Sequence, residues 1–173
     1  EQAETVAFLG RSLLISLLLI ILILVTQFNS LSKSFIILTE VIFSIIGVLL
    51  GFSFFQMSMA VVMVGIGVIG LAGIVVRNGI LIVEFADVLK NQGHDSWYSV
   101  VHAGKTRLKP VLLTATATML GLVPLAVGMN IDFASMFTHL DPKIFFGGDS
   151  VAFWGPLSWT IIFGLAFATI ITL

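Results

Sequence analysis

Five long apolar segments divide this chain, and they constrain its fold more than any other feature. They lie at about residues 12–26, 35–55, 57–89, 109–129 and 151–173. An apolar helix needs roughly 20 residues to cross a bilayer, and only helices and closed barrels satisfy every backbone polar group inside one. The first segment reaches this length together with the apolar residues that flank it. The five segments predict an all-α integral membrane protein with five transmembrane helices.

The composition agrees with a membrane protein and excludes several other classes. Charged residues make up 10% of the chain and mean hydropathy is +1.16, whereas about a quarter of the residues in a soluble domain are charged. A net charge of -1 gives no basic surface for nucleic acid, so we expect no nucleic-acid partner. The chain has no cysteine and its three histidines are scattered, so we expect no metal site and no cofactor.

The third apolar segment carries the most informative pattern. At about 100° per residue, one stripe of this helix collects small and charged side chains. The members of the stripe are Gly67 at its margin, Gly70, Gly73, Arg77 and Glu84. An ionisable group inside a membrane is costly unless it is paired or hydrated, and small residues let another helix approach closely. We therefore expect the stripe to face protein, with the three glycines as helix-packing residues.

The polar stretches give the domain organisation. Residues 1–11 are predicted to be a lead-in before the first span, and residues 12–173 the transmembrane bundle. Residues 91–106 form the most polar stretch and contain apolar side chains at helical spacing, which predicts an amphipathic linker helix on the membrane surface. Residues 130–150 form a longer loop between the fourth and fifth spans.

The distribution of basic residues predicts the orientation. The loops after spans one and three hold five basic residues, against two in the remaining loops and the lead-in. The five are Lys33, Lys90, Lys105, Arg107 and Lys109, and the two are Arg11 and Lys143. Cytoplasmic loops carry the excess of Lys and Arg, so we expect an external amino terminus and a carboxyl terminus directed towards the cytoplasm. An external start without a signal sequence leads us to expect that further helices precede this chain.

Two motifs carry a resemblance to a known family. The segment GIVVRNGILIVEF at 73–85 is followed, after the polar linker, by RLKPVLLTATATMLGLVPLA at 107–126. These motifs resemble the carboxy-terminal transmembrane region of resistance-nodulation-division (RND) exporters, of the hydrophobe/amphiphile multidrug type. The resemblance covers essentially the whole chain, and it implies that the five spans correspond to the last five helices of a twelve-helix transporter.

The resemblance also implies roles for four residues. Arg77 occupies the position of a basic residue that lies between two aspartates of another helix in such pumps, and Asn78 follows it as in the motif. Arg107 and Thr114 match a proton-relay arginine and threonine on the next helix. Many of these pumps have lysine where this chain has Arg77. Because arginine stays protonated in proteins, we expect a fixed counter-charge there and no proton carrier.

The five spans lack the paired aspartates that the resemblance requires. Their candidate intramembrane acids are Glu40 and Glu84, which we treat as possible secondary acids; an interfacial or structural role for either remains open. The resemblance implies that the paired aspartates come from an amino-terminal half outside this chain. It further implies a homotrimer in the lipid of the bacterial inner membrane, with a periplasmic amino terminus, a periplasmic adaptor and an outer-membrane channel.

The expected function is a component of a proton-motive-force-driven efflux pump for drugs or other amphiphiles. Such a component is a secondary transporter, not an enzyme, and its energy source is the proton gradient. Two alternatives remain open from the sequence. One is a related RND-type lipid exporter or protein-translocation helper, and the other is a truncated membrane scaffold that transports nothing.

Overall fold

Five long helices build the chain. The structure is a computed structural model that describes residues 2–131 and 144–173. Its helices are α1 (Gln2–Phe28), α2 (Leu31–Phe54), α3 (Val61–Asn91), α4 (Ser96–Val127) and α5 (Asp149–Thr172). All five are long and apolar enough to cross a membrane. The predicted all-α membrane fold is confirmed.

The connection between α1 and α2 is shorter than the sequence predicts, whereas the connection between α2 and α3, residues 55–60, is longer. Residues 2–11, predicted to be a separate lead-in, form the first turns of α1, because nothing before Asn29 breaks the helix. Asn29 takes a left-handed conformation with φ 46°, which ends α1 and leaves only Asn29 and Ser30 between it and α2. A second left-handed residue, Gln56 with φ 49°, follows α2 and turns the chain towards α3.

Helix α4 joins two elements that the sequence treats as separate. The amphipathic helix predicted within 91–106 and the span predicted at 109–129 form one helix, Ser96–Val127. Its first turn is capped by Asp95, whose side chain accepts a hydrogen bond from the backbone N–H of Trp97 at 3.3 Å. Pro110, expected in the first turn of the span, lies in the interior of α4. Membrane helices tolerate proline because neighbouring groups satisfy the freed carbonyl.

A small antiparallel pair of strands follows α4. Gly128, in a left-handed conformation with φ 72°, ends α4, and β1 (Met129–Ile131) then pairs with β2 (Ile144–Phe146). The Asn130 side chain donates hydrogen bonds to the carbonyls of Gly128 and Gly147 and so ties the two strands together. The remainder of the predicted loop, including His139, lies outside the described residues.

Helix α5 lies at the centre of the bundle. It packs against α2, α3 and α4, whereas α1 lies at the periphery and packs mainly against α2 and α3. Gly47 and Gly51 of α2 make close approach to α5 possible. A Cβ at Gly47 would come 2.3 Å from Phe167, and one at Gly51 would come 2.3 Å from Phe163. This close packing fits the small-residue spacing of α2.

Candidate functional site

Arg77 and Asn78 lie in the middle of α3 but point in different directions. Asn78 is 5% exposed, whereas Arg77 belongs to the exposed face of the helix. Successive residues on a helix are rotated by about 100°, so one side chain enters the bundle as the next leaves it. Among the described residues, Arg77 forms no hydrogen bond or ion pair.

A cleft between α3 and α4 brings the four predicted relay residues together. Its volume is about 170 Å³. Its lining consists of Arg77, Asn78 and Leu81 from α3 and of Arg107, Pro110, Val111 and Thr114 from α4. We call this space the arginine cleft. Helices α3 and α4 pack against one another, and this contact places residues far apart in the sequence around a single space.

Arg107 is held against an aromatic ring. Its guanidinium carbon lies 4.9 Å from the centroid of the Phe85 ring, within the range of a cation–π interaction. The Nε atom of Arg107 is buried and has no hydrogen-bond partner among the residues that the structure describes. A buried donor without a partner is costly, so Arg107 is ready to bind an acceptor that enters the cleft.

Thr114 contributes a hydroxyl to the same cleft. The Thr114 hydroxyl donates to the carbonyl of Val111 at 3.1 Å, and Val111 also lines the cleft. A hydroxyl that donates one hydrogen bond can still accept others. Thr114 and Arg107, seven residues apart, lie on one face of α4 as the helical spacing predicts.

Two arginines and no acid line the arginine cleft. The lining includes no Asp or Glu, and the ion pair of Lys33 with Asp87 lies outside the cleft. Two fixed cations within one small space repel each other unless anions or water come between them. The cleft is thus an electropositive site that can accept carboxylates.

The stripe on α3 lies on the open side of the bundle. Gly70, Gly73, Arg77 and Glu84 are exposed, and a Cβ at Gly70 or Gly73 would meet nothing within 4 Å among the described residues. Gly67 alone is packed within the chain, since its Cβ would lie 2.9 Å from Thr160. Gly70 and Gly73 therefore contact no described helix, and their packing against another part of a transporter stays a prediction.

The two candidate secondary acids lie in different environments. Glu84 is exposed on the outer stripe of α3, about one turn beyond Leu81, the last residue of α3 that lines the cleft. Glu40 is half-buried between α2 and α3, and its Oε2 atom is inaccessible. Neither acid lines the arginine cleft, so within the described structure neither one pairs with Arg77.

Two contacts were not predicted from the sequence. Lys33, at the start of α2, forms an ion pair with Asp87, near the end of α3, at 2.5 Å. The second contact is that of Phe85 with Arg107. The predicted order of spans places the start of α2 and the end of α3 at the same end of the bundle, which is a signal that opposite charges there can meet.

These features define the chain as a multi-pass membrane protein with an electropositive cleft between two of its helices. The profile of the AcrB/AcrD/AcrF family matches residues 2–131. The chain belongs to this family of RND transporters, so the resemblance recognised in its motifs is confirmed.

Curated relatives support the assignment over different lengths. The swarming motility protein SwrC of Bacillus subtilis is 32% identical over all of this chain, which covers 15% of that protein. The toluene efflux pump membrane transporter TtgB of Pseudomonas putida is 31% identical over 87% of the chain, or 15% of TtgB. The cobalt-zinc-cadmium resistance protein CzcA of Cupriavidus metallidurans is 32% identical over 65% of the chain, or 10% of CzcA. The chain thus spans 10 to 15% of the length of these relatives.

Proposed function

We propose that this chain forms part of a proton-driven RND efflux transporter, in which Arg77 is a fixed counter-charge for carboxylates supplied by another part of the transporter. The arginine cleft is the observation that carries the proposal. It joins Arg77, Asn78, Arg107 and Thr114 around one space that has no acid of its own. The family relationship supports transport rather than catalysis.

The open stripe of α3 indicates where the carboxylates enter. Arg77 is exposed there beside Gly70 and Gly73, which leave room for a neighbouring helix. A charged side chain that faces lipid is costly, whereas a carboxylate on a docked helix compensates the charge and gains from the low dielectric constant. We therefore assign the stripe to contact with an amino-terminal half of the transporter.

Protonation of those carboxylates is the switching event in this proposal. While ionised, they are attracted to Arg77. Once protonated, they lose most of that attraction, and α3 is free to move relative to the docked helix. Arg107 and the Thr114 hydroxyl line the route by which a proton passes along α4. Asn78, buried behind Arg77, holds the local geometry.

The substrates and partners are proposed at the level of class. TtgB and two similar transporters are named for the efflux of toluene, of drugs and solvents, and of antibiotics. We propose drugs or other amphiphiles as the substrates of the transporter that contains this chain. We further propose a homotrimer in the inner membrane that works with a periplasmic adaptor and an outer-membrane channel. The start of α2 with Lys33, the end of α3 with Lys90 and the first half of α4 with Lys105 face the cytoplasm in this arrangement.

Extrusion by the intact transporter tests the proposal. Arg77→Ala, made in the full-length protein that contains this chain, is expected to abolish energy-dependent extrusion of an amphiphilic dye. Arg11→Ala, on the exposed surface of the peripheral helix α1, is the matched control and is expected to extrude normally. Unchanged extrusion by Arg77→Ala, with normal amounts of protein in the membrane, would contradict the counter-charge role.

A further inference from the structure

Glu40 is a buried acid that the arginine cleft does not use. It lies on α2 within the membrane-spanning part of the bundle. Its Oε2 atom is inaccessible and has no hydrogen-bond partner among the described residues. The hydroxyl of Thr172, at the end of α5, is the polar group that faces the carboxyl. An ionised carboxylate is expensive in such surroundings unless it is paired or hydrated.

The carboxyl of Glu40 lies directly on the backbone of α3. A Cβ placed at Gly79 would be 2.6 Å from Oε2 and 2.7 Å from Oε1, so a larger residue at this point would force the carboxyl to move. Gly79 follows Arg77 by two residues, which is a rotation of about 200° around the helix. Helix α3 therefore touches an acid on one face and carries its intramembrane cation on the opposite face, at nearly the same depth.

A second cavity connects Glu40 to one end of the bundle. Its volume is about 460 Å³, enough for several waters at about 30 Å³ each. Lys33, Asp87, Lys90 and Ser99 line it together with Glu40 and Thr172. Lys90 lies eleven residues beyond Gly79, or about 16 Å along α3. The cavity thus extends from the buried carboxyl to the polar end of the bundle.

The charged groups around this cavity leave Glu40 without a counter-ion. Lys33, on its own helix, is paired with Asp87 of α3. Lys90 is the other charged group that α3 contributes to the lining, and it lies near the end of that helix. Helix α4 contributes only uncharged groups, among them Ser99, and α5 contributes Thr172. In the described part of the chain, no cation forms an ion pair with the Glu40 carboxyl.

We infer that Glu40 is a second proton-binding site, which exchanges its proton through this cavity with the end of the bundle that carries Lys33 and Lys90. Loss of the proton places a charge against Gly79 and draws water into the cavity, which changes the spacing of α2 and α3. Because α3 also carries Arg77, occupancy of Glu40 biases the position of the counter-charge. Only this last coupling step rests on the proposed function; proton binding by Glu40 does not.

Infrared difference spectroscopy of the intact transporter in lipid tests the inference. The C=O stretch of the protonated Glu40 carboxyl group is expected at acidic pH, to shift in D₂O, and to fade as the pH rises. Glu40→Gln, which keeps the shape of the side chain, is expected to remove this component of the carboxyl band, whereas other protonated carboxyl groups of the transporter absorb in both proteins. Asp95→Asn is the matched control, because Asp95 lies in a surface turn and Asn caps a helix equally well; it is expected to leave the band unchanged.

Two results would overturn the inference. One is a carboxyl band of unchanged intensity in Glu40→Gln, and the other is a Glu40-dependent component that does not change with pH. If Glu40→Gln fails to assemble, Gly79→Ala gives a second test, because the new Cβ displaces the carboxyl by direct contact. Its band is expected to shift in frequency relative to Gly104→Ala, whose Cβ would meet nothing within 4 Å; an unshifted band would also overturn the inference.

Transport measurements separate this inference from the proposed function. If Arg77→Ala extrudes normally while Glu40→Gln loses the band, the counter-charge proposal is wrong and proton binding by Glu40 stands. If Arg77→Ala abolishes extrusion and the band survives in Glu40→Gln, the counter-charge proposal stands and the second site is wrong.

Discussion

Arg77 of α3 and Arg107 of α4 line the same cleft, although neither forms an ion pair within the described residues. Two like charges at close quarters destabilise the helix pair unless an anion compensates them. The arrangement is easily understood if it is one side of an interface whose acids come from another part of the protein. The predictions below test the cleft, the packing behind it and its orientation in the membrane.

The hydroxyl of Thr114 is expected to contribute to proton movement. Thr114→Val keeps the shape of the side chain and removes the hydroxyl from the arginine cleft, and we expect proton-coupled transport to fall by about a hundredfold, the lower end of the range for one proton-transfer partner. Thr116→Val is the control, since Thr116 is rotated by about 200° from Thr114 on α4. Transport rates in proteoliposomes provide the measurement. Equal rates for the two variants would remove Thr114 from the relay.

The contact of Phe85 with Arg107 is expected to stabilise the α3–α4 pair. Phe85→Leu removes the aromatic face that lies 4.9 Å from the guanidinium carbon, and a loss of about 0.5–2 kcal/mol is expected for a partly desolvated cation–π contact. The free energy of unfolding in mixed micelles is the measurement. In an Arg107→Leu background the same change at Phe85 should cost clearly less. An identical cost in both backgrounds would show that Phe85 acts through packing alone.

The glycines of α2 are expected to be indispensable for its contact with α5. Gly47→Ala places a Cβ 2.3 Å from Phe167, and we expect a destabilisation of about 1–3 kcal/mol from overpacking. Gly121→Ala on α4 is the control, because its Cβ would meet nothing within 4 Å in the described structure. Thermal unfolding in detergent compares the two. A Gly47→Ala protein as stable as Gly121→Ala would show that α2 and α5 can separate freely.

The proposed orientation can be tested with single cysteines, because the chain contains none of its own. Gln56→Cys lies in the turn between α2 and α3, and Lys105→Cys lies in the first half of α4. In a full-length transporter without other reactive thiols, a membrane-impermeant maleimide should label the cysteine introduced at position 56 in intact spheroplasts. It should label the residue at 105 only after lysis. The reverse pattern would invert the topology.

The fold could be predicted from the sequence because segment length and hydropathy determine it. The first and last residues of the helices could not be predicted, because they depend on local features such as the left-handed conformation of Asn29 and the cap at Asp95. Nothing in the local sequence indicates that the helix beginning at Ser96 continues through Pro110 without a break. The polar stretch and the apolar span also differ in hydropathy, which hides the continuity of α4.

The candidate site could be predicted as far as its members share a helix face or a family motif. Arg107 and Thr114 are spaced for one face of α4, and the family motifs include all four residues that line the cleft as relay candidates. The ring of Phe85 and the approach of Glu40 to Gly79 depend instead on the distance between helices. Spacing along one helix does not determine that distance. The outward direction of Gly70 and Gly73 could not be predicted either, because the stripe pattern does not tell which partner covers it.

Proton movement coupled to substrate export tests the central claim most directly. The intact transporter is reconstituted with a pH-sensitive dye inside the vesicles, an amphiphilic substrate is added, and proton flow is recorded for the wild type, Arg77→Lys and Arg77→Ala. We predict that the wild type moves protons when substrate is present, that lysine preserves part of this flow because it keeps the charge, and that alanine abolishes it. Substrate-dependent proton flow of wild-type size in Arg77→Ala would contradict the account.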